Sequence, residues 1–261
     1  MTMIVLSIGE RLRDWRQKRR LSQLDLACDA EISTRHLSFL ETGRAAPSRD
    51  MVMRLAERLD VPLRERNALL LAAGFAPVFP ERSLDDPGLA AAKVAVEALL
   101  EAHMPFPALA IDRRWTMLAS NASVGLLMAG VDPKLLEGPV NVLRASLHPD
   151  GVASRIANLA ELRGHILSRL RRELADNGDA GLADLIRELS GYPGGEAHPR
   201  GGEGMIAVPL RLNTPDGELS FLTTTMTFGG PLDVTVSELT IETFLPADPA
   251  TAAALRAMAG G

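Results

Sequence analysis

Apolar residues recur at helical spacing in a series of short windows over positions 1–75. Ile8, Leu12 and Trp15 mark one face of a first helix over 8–20. Its other face carries Arg11, Arg13, Arg16, Lys18, Arg19 and Arg20 and reads as solvated, with phosphate contacts open to one or two of them. Ser22 is a natural N-cap, and Asp25 three residues on can complete a capping box. Leu24, Leu26, Ala27 and Ala30 then give a second helix one apolar side. Ser33 caps a third, with Leu37 and Leu40 facing inward and Gly43 as a left-handed stop. Ser48 caps a fourth, whose buried stripe is Val52, Leu55, Ala56 and Leu59. A fifth follows Pro62, over 63–73, and closes at Gly74.

The second and third windows are joined by so tight a turn that they must pack on each other and on their flanks. What remains outward is Thr34, Arg35 and Ser38, on the first turns of the third helix. A helix offering hydroxyls and a guanidinium from its first turns suits a B-DNA major groove, where Arg can fork onto guanine O6 and N7. This is the helix-turn-helix geometry, with 33–42 as recognition helix, Gln23 opening the helix before it and Arg44 placed beside it for phosphate. Phe39 points toward solvent or DNA. With Ala27 at the close helix crossing and Ile32, Leu37 and Leu40 in core positions, the segment resembles the lambda-repressor-like, XRE-type regulators. One departure is Glu31 at the turn position those proteins give to Gly, where a left-handed backbone costs about 1 kcal/mol.

Periodicity fails over 76–88, which holds Pro77, Pro80 and Pro87 and reads as a linker. A second domain over 89–261 opens with a helix at 89–103, its apolar positions Val94, Leu99 and Leu100. A hairpin follows, with strands at 108–111 and 115–119 about Asp112-Arg113-Arg114. Asn121 is placed to cap a helix through Met128, and helical spacing returns over 152–174 and 182–189. The Gly-rich stretch 191–204 reads as a surface loop, and three strands are expected at 206–212, 219–228 and 234–244. Together these give a five-strand antiparallel sheet with helices on one side, able to hold a small molecule between its concave face and those helices. The runs PALAIDRRWTMLASN, LRASLHPDG, SRLRRELADNGD and FGGPLDVTVSELTIETFLPAD resemble regulators that carry an MmyB-like ligand-binding domain behind the helix-turn-helix. That likeness implies a fold of two domains, an all-α five-helix module and an α/β PAS-like domain, and a regulatory role.

Composition narrows the partners. Hydrophobic content of 46% with 23% charged residues marks a globular chain, and its 4% aromatics leave the core to Leu, Ala, Val and Met. The net charge of −5 argues against non-specific coating of nucleic acid. Residues 1–75 hold 13 basic against 10 acidic side chains, while the remainder holds 15 against 23, so DNA binding is expected at one end only. No stretch approaches the roughly 20 apolar residues of a membrane span, and no basic-then-apolar leader is seen. The single cysteine, Cys28, reads as a small buried hydrophobe, and a cytoplasmic location is expected.

Reaction chemistry is sparse. There is no GxxxxGK[ST], HExxH, G-x-S-x-G or spaced Cys/His set. His36, His103, His148, His165 and His198 are scattered; a haem-type sensor would need His103, His148 or His165 in the pocket, and a flavin-thiol sensor would need a pocket cysteine. His148, before Pro149-Asp150-Gly151, fits a helix-ending turn, or a polar group at a pocket mouth beside Arg155. Trp115 and Phe221 are candidate aromatic walls, and Thr223 and Thr225 share one strand face. With Asn121 they complete the candidate ligand-contacting set, although a ligand-free core explains the same pattern. The expected DNA-contacting set is Gln23, Ser33, Thr34, Arg35, Ser38 and Arg44. The expectation is a non-enzymatic regulator, a homodimer on double-stranded operator DNA. It would sense a small apolar ligand such as a fatty acid and carry no cofactor or metal. Alternatives are a C-terminal module serving interaction or dimerisation without ligand and, last, an enzyme.

Overall fold

The computed structural model describes residues 6–177, 179–197 and 207–259. His198, the 198–204 part of the expected loop and the first position of the expected strand 206–212 lie outside the described residues. The chain forms two compact units. One runs to Arg82 and includes 230–237; the other holds Ser83–Gly229 and the chain from Glu238 on.

The first unit contains α1 (Ile8–Lys18), α2 (Gln23–Asp29), α3 (Thr34–Glu41), α4 (Arg49–Arg58) and α5 (Leu63–Ala72). Serines start four of them. Ser7 and Ser22 form full capping boxes with Glu10 and Asp25, and Ser33 and Ser48 accept from the amides of His36 and Met51. Leu12, Trp15, Leu26, Leu37, Leu40, Val52, Leu55 and Leu69 form one core. Gly9 lets α1 approach the end of α3 closely, because a Cβ there would collide with the carbonyl oxygens of Leu40 and Glu41. Glu31 does take the left-handed turn conformation, at φ 54°.

Three sequence expectations fail here. Leu24 is 61% exposed and Cys28 is exposed as well. Leu24 is two residues from Leu26, hence on the opposite side of a helix, and Cys28 sits one turn beyond Leu24. Arg16 is buried rather than solvated, for reasons given below. The linker is also more ordered than its prolines suggest. The Asn67 side chain accepts from the amides of Val78 and Phe79 and donates to the Phe79 carbonyl. The Pro80 carbonyl in turn accepts from the Val234 amide.

The second unit is built on five antiparallel strands: β1 (Ala108–Ile111), β2 (Met117–Ser120), β3 (Leu210–Thr214), β4 (Gly217–Thr227) and β5 (Thr240–Pro246). Their order is β2-β1-β5-β4-β3. Residues 234–238 form a short helix, α11 (Val234–Glu238), not the start of the last strand. Asp233 accounts for this by accepting from the Thr235 amide, an N-cap that overrides the β-branched run. Helices cover both faces of the sheet, correcting the one-sided expectation. On one face Ala108, Ala110 and Ile241 meet Val96 and Leu100 of α6 (Ala90–Ala102). The other face, with Leu109 and Ile111, packs on α8 (Val142–Leu147), α9 (Leu159–Asn177) and α10 (Ala180–Ser190). A short α7 (Val124–Met128) follows β2, and α12 (Pro249–Ala259) closes the described chain, Leu255 packing beside Phe221.

Candidate DNA-reading helix and apolar cavity

The orientation of α3 is set by a buried ion pair. Arg16 forks onto Glu41, Nε to Oε1 at 2.6 Å and Nη2 to Oε2 at 2.8 Å, while Nη1 donates to the Leu21 carbonyl at 2.9 Å. Side-chain exposure is 10% for Arg16 and 1% for Glu41. Gln23 completes the network, its Nε2 donating to Glu41 Oε2 at 2.9 Å. Burial alone would raise the Glu41 carboxyl, but the hydrogen bonds from Arg16 and Gln23 outweigh it and hold the group below its ordinary value.

Around that anchor the six expected DNA-contacting residues separate. Arg35 and Arg44 are exposed, and Thr34 and Ser38 are half-buried on α3. Both guanidiniums lie over the Phe39 ring, at 5.3 Å and 5.9 Å, so Phe39 pre-orients the two cations. The Ser33 hydroxyl is engaged by the α3 cap, and the Gln23 amide nitrogen is committed to Glu41. On and just after α1, Arg16 is buried and Arg19 donates to the carbonyls of Leu59 and Asp60, leaving Arg13, Lys18 and Arg20 exposed.

The second unit encloses a cavity of about 170 Å³ between the sheet and α8–α9. Trp115, Thr223 and Thr225 line it, as anticipated. The other four candidates do not. Phe221 is fully buried in the adjoining core, edge-on to Phe244 with centroids 6.4 Å apart. Asn121 is a buried clasp, accepting from the Ala108 amide and donating to the carbonyls of Leu100 and Phe106. Arg155 is spent on the carbonyls of Leu126, Ala129 and Asn213. His148 ends α8; its ring packs on Tyr192, and Nδ1 accepts from the Asp150 amide.

Most of the lining is apolar, including Leu109, Leu127, Met128, Val142, Leu143, Ile156, Leu162, Ile166 and Phe244. Besides Thr223 and Thr225, its polar groups are Ser146, His165, Arg169 and Glu242, of which only His165 figured in the sequence reading. The signals were there to read: Leu162, His165, Ile166 and Arg169 recur at helical spacing, and Glu242 interrupts an otherwise apolar strand. Burial, followed by the nearby Arg169 and Arg172 charges, lowers the His165 pKa. Trp115 itself sits at φ 64°, in the hairpin turn held by the Asp112 carboxylate, which accepts from the amides of Arg114 and Thr116. A left-handed backbone at so bulky a residue is rare and marks the turn as tightly determined by its surroundings. Among the described residues, no group of three His, Cys, Asp or Glu is arranged to hold a metal ion.

A capped, anchored recognition helix and a separate unit enclosing an apolar cavity define a helix-turn-helix regulator. Comparison with known families agrees. Residues 7–69 match the model of a helix-turn-helix domain, and residues 92–258 match that of the MmyB-like transcription regulator ligand binding domain. The chain belongs to the family of MmyB-like transcription regulators. A search of curated proteins finds no match. Among solved structures, the clp gene regulator ClgR from Corynebacterium glutamicum is similar at 22% identity. That match covers 40% of this chain and 97% of that one, with a TM-score of 0.24. Among the described residues, no helix is long and apolar enough to cross a membrane.

Proposed function

We propose that the chain binds operator DNA as a homodimer and that a small, largely apolar ligand in its second domain biases that binding. In this reading residues 1–75 read the DNA, 76–88 connect, and 89–261 sense. Thr34, Arg35 and Ser38 reach base edges while Arg44 meets phosphate, and two-fold symmetry sets the half-sites about one helical turn apart. The observation that carries the reading is the pair of exposed guanidiniums, Arg35 and Arg44, stacked on half-buried Phe39 on a helix fixed from behind by Arg16 and Glu41. An apolar wall of this kind suits a hydrocarbon segment, such as a fatty acyl chain, and a ligand acts by binding two states of the protein unequally.

The test is a fluorescence-anisotropy titration of the full chain on a selected operator and on a scrambled duplex. Arg35→Ala should cost about 1–3 kcal/mol on the operator and relax one base position. An equal loss on both duplexes would make Arg35 a phosphate contact instead.

A further inference from the structure

The chain passes between its two units at 82–83, at 229–230 and again at 237–238, and the last of these lies inside α11. On the N-terminal side of that crossing α11 holds the linker. The Val234 amide donates to the Pro80 carbonyl at 2.8 Å and the Thr235 hydroxyl to the Arg82 carbonyl at 2.5 Å, with Val234 itself buried. The linker residues just before, Val78 and Phe79, are the ones that Asn67 fastens to α5. On the other side of the crossing Glu238 faces Arg113, Oε2 to Nε at 3.7 Å. Arg113 stands in the turn that ends on Trp115, a wall of the cavity. The strands that α11 joins carry the same wall: Thr225 and Glu242, register partners on β4 and β5, both line it.

From this path we infer that α11 is the joint through which the state of the cavity reaches the DNA-binding unit. The inference rests on the sensing role proposed above and adds the route by which it acts. Coupling between sites needs an element with two arrangements. Asp233 provides it. Its Oδ1 caps α11 by accepting from the Thr235 amide at 2.9 Å, but Oδ2 is buried with no hydrogen-bond donor among the described residues. Arg82 Nε stands 4.0 Å from Oδ2, too far to donate, and the Arg82 side chain is 42% exposed, with room to move. A buried carboxylate oxygen without a donor is costly, and a small shift of α11 that brings Arg82 onto it recovers the hydrogen bond. The linker then has two positions, with Arg82 open or closed on Asp233. A molecule that displaces Trp115 or the β4–β5 wall moves Glu238 and with it the balance between them, and α5 follows through Asn67.

The test uses the full chain with 1-hexanol and benzene as probes, apolar molecules small enough for a cavity of about 170 Å³. Calorimetry reads probe binding, and fluorescence anisotropy reads operator affinity with and without the probe. In wild type a bound probe should change operator affinity by about fivefold or more. Thr235→Val and Asp233→Asn should still fold and bind the probe but lose that shift. Leu232→Ser, at a 78% exposed position beside α11, should keep it. Hydrogen exchange on wild type reads the joint without a variant: the probe should alter protection over 77–82 and 230–237 as well as in the cavity strands. A full shift in both folded variants, or exchange changes confined to the cavity unit, overturns the inference. Exchange changes that reach 77–82 with operator affinity unmoved would leave the joint standing and refute the sensing role. A folded wild type that takes up neither probe refutes both.

Discussion

Breaking the Arg16–Glu41 pair tests whether the recognition helix is anchored as described. Arg16→Met keeps most of the side-chain volume and removes the guanidinium that reaches Glu41 Oε1 and Oε2 together. Glu41 is then a carboxylate of 1% side-chain exposure whose remaining hydrogen bond is to the Gln23 amide. An uncompensated buried charge of this kind costs about 3–5 kcal/mol, and the retained Gln23 bond places this case toward the lower end. Replacing both partners, Arg16→Met with Glu41→Met, removes the desolvated charges together and should return stability to within about 1 kcal/mol of wild type. The assay is urea unfolding of the full chain in a Trp115→Phe background, so that emission reports on Trp15 in the N-terminal core. A single-variant loss below about 1 kcal/mol would refute the claim that the pair is desolvated. A double variant as unstable as the single would refute the claim that the loss is one of charge rather than packing.

Other consequences follow from the same unit. Glu41 has a lowered folded-state pKa, so its stabilisation is present above its ordinary value of 4.5 and lost as pH falls through the folded value. Acid titration of N-terminal unfolding should therefore be steeper in wild type than in the Met–Met double variant. Gly9→Ala forces a Cβ against the Leu40 and Glu41 carbonyls and should lower stability by about 1–3 kcal/mol in thermal melts. Glu31→Gly relieves about 1 kcal/mol of left-handed strain at φ 54° against roughly 0.5 kcal/mol of added chain entropy, so its melting point should rise slightly. A fall would mean that the Glu31 side chain makes a compensating contact.

The helices of the first unit were legible because their starts are local events. Ser22, Ser33 and Ser48 each close a cap within three residues of themselves, and periodic leucines do the rest. Strand identity in the second unit was legible from short apolar runs, and the β3-β4 pairing followed from the tight Pro215-Asp216 connection, whereas a longer segment carrying the 234–238 helix joins β4 to β5. The failure at 234–238 has a local cause too: Asp233 is an N-cap whose effect outweighed Val234, Thr235 and Val236.

What periodicity could not supply was pairing across the chain. Arg16 meets Glu41 25 positions away, and both look like ordinary surface residues until α1 is laid against α3. Arg169 and Glu242 are more remote still, on α9 and β5, and each alone reads as a polar position in an amphipathic element. His148 and Asn121 erred in the other direction. Their chemistry suggested ligand contact, but backbone groups consume both, the Asp150 amide in one case and the Ala108 amide and Leu100 carbonyl in the other. A polar side chain beside a turn or strand end is usually claimed by the nearest unpaired backbone group, because leaving that group buried and unsatisfied costs more than a ligand contact returns. Glu242 escapes this rule. On a central strand the neighbouring backbone is already paired in the sheet, so its carboxyl stays committed to Arg169 beside the cavity. The residues most informative about the cavity were thus the charged ones that lie on regular elements with their backbone already satisfied.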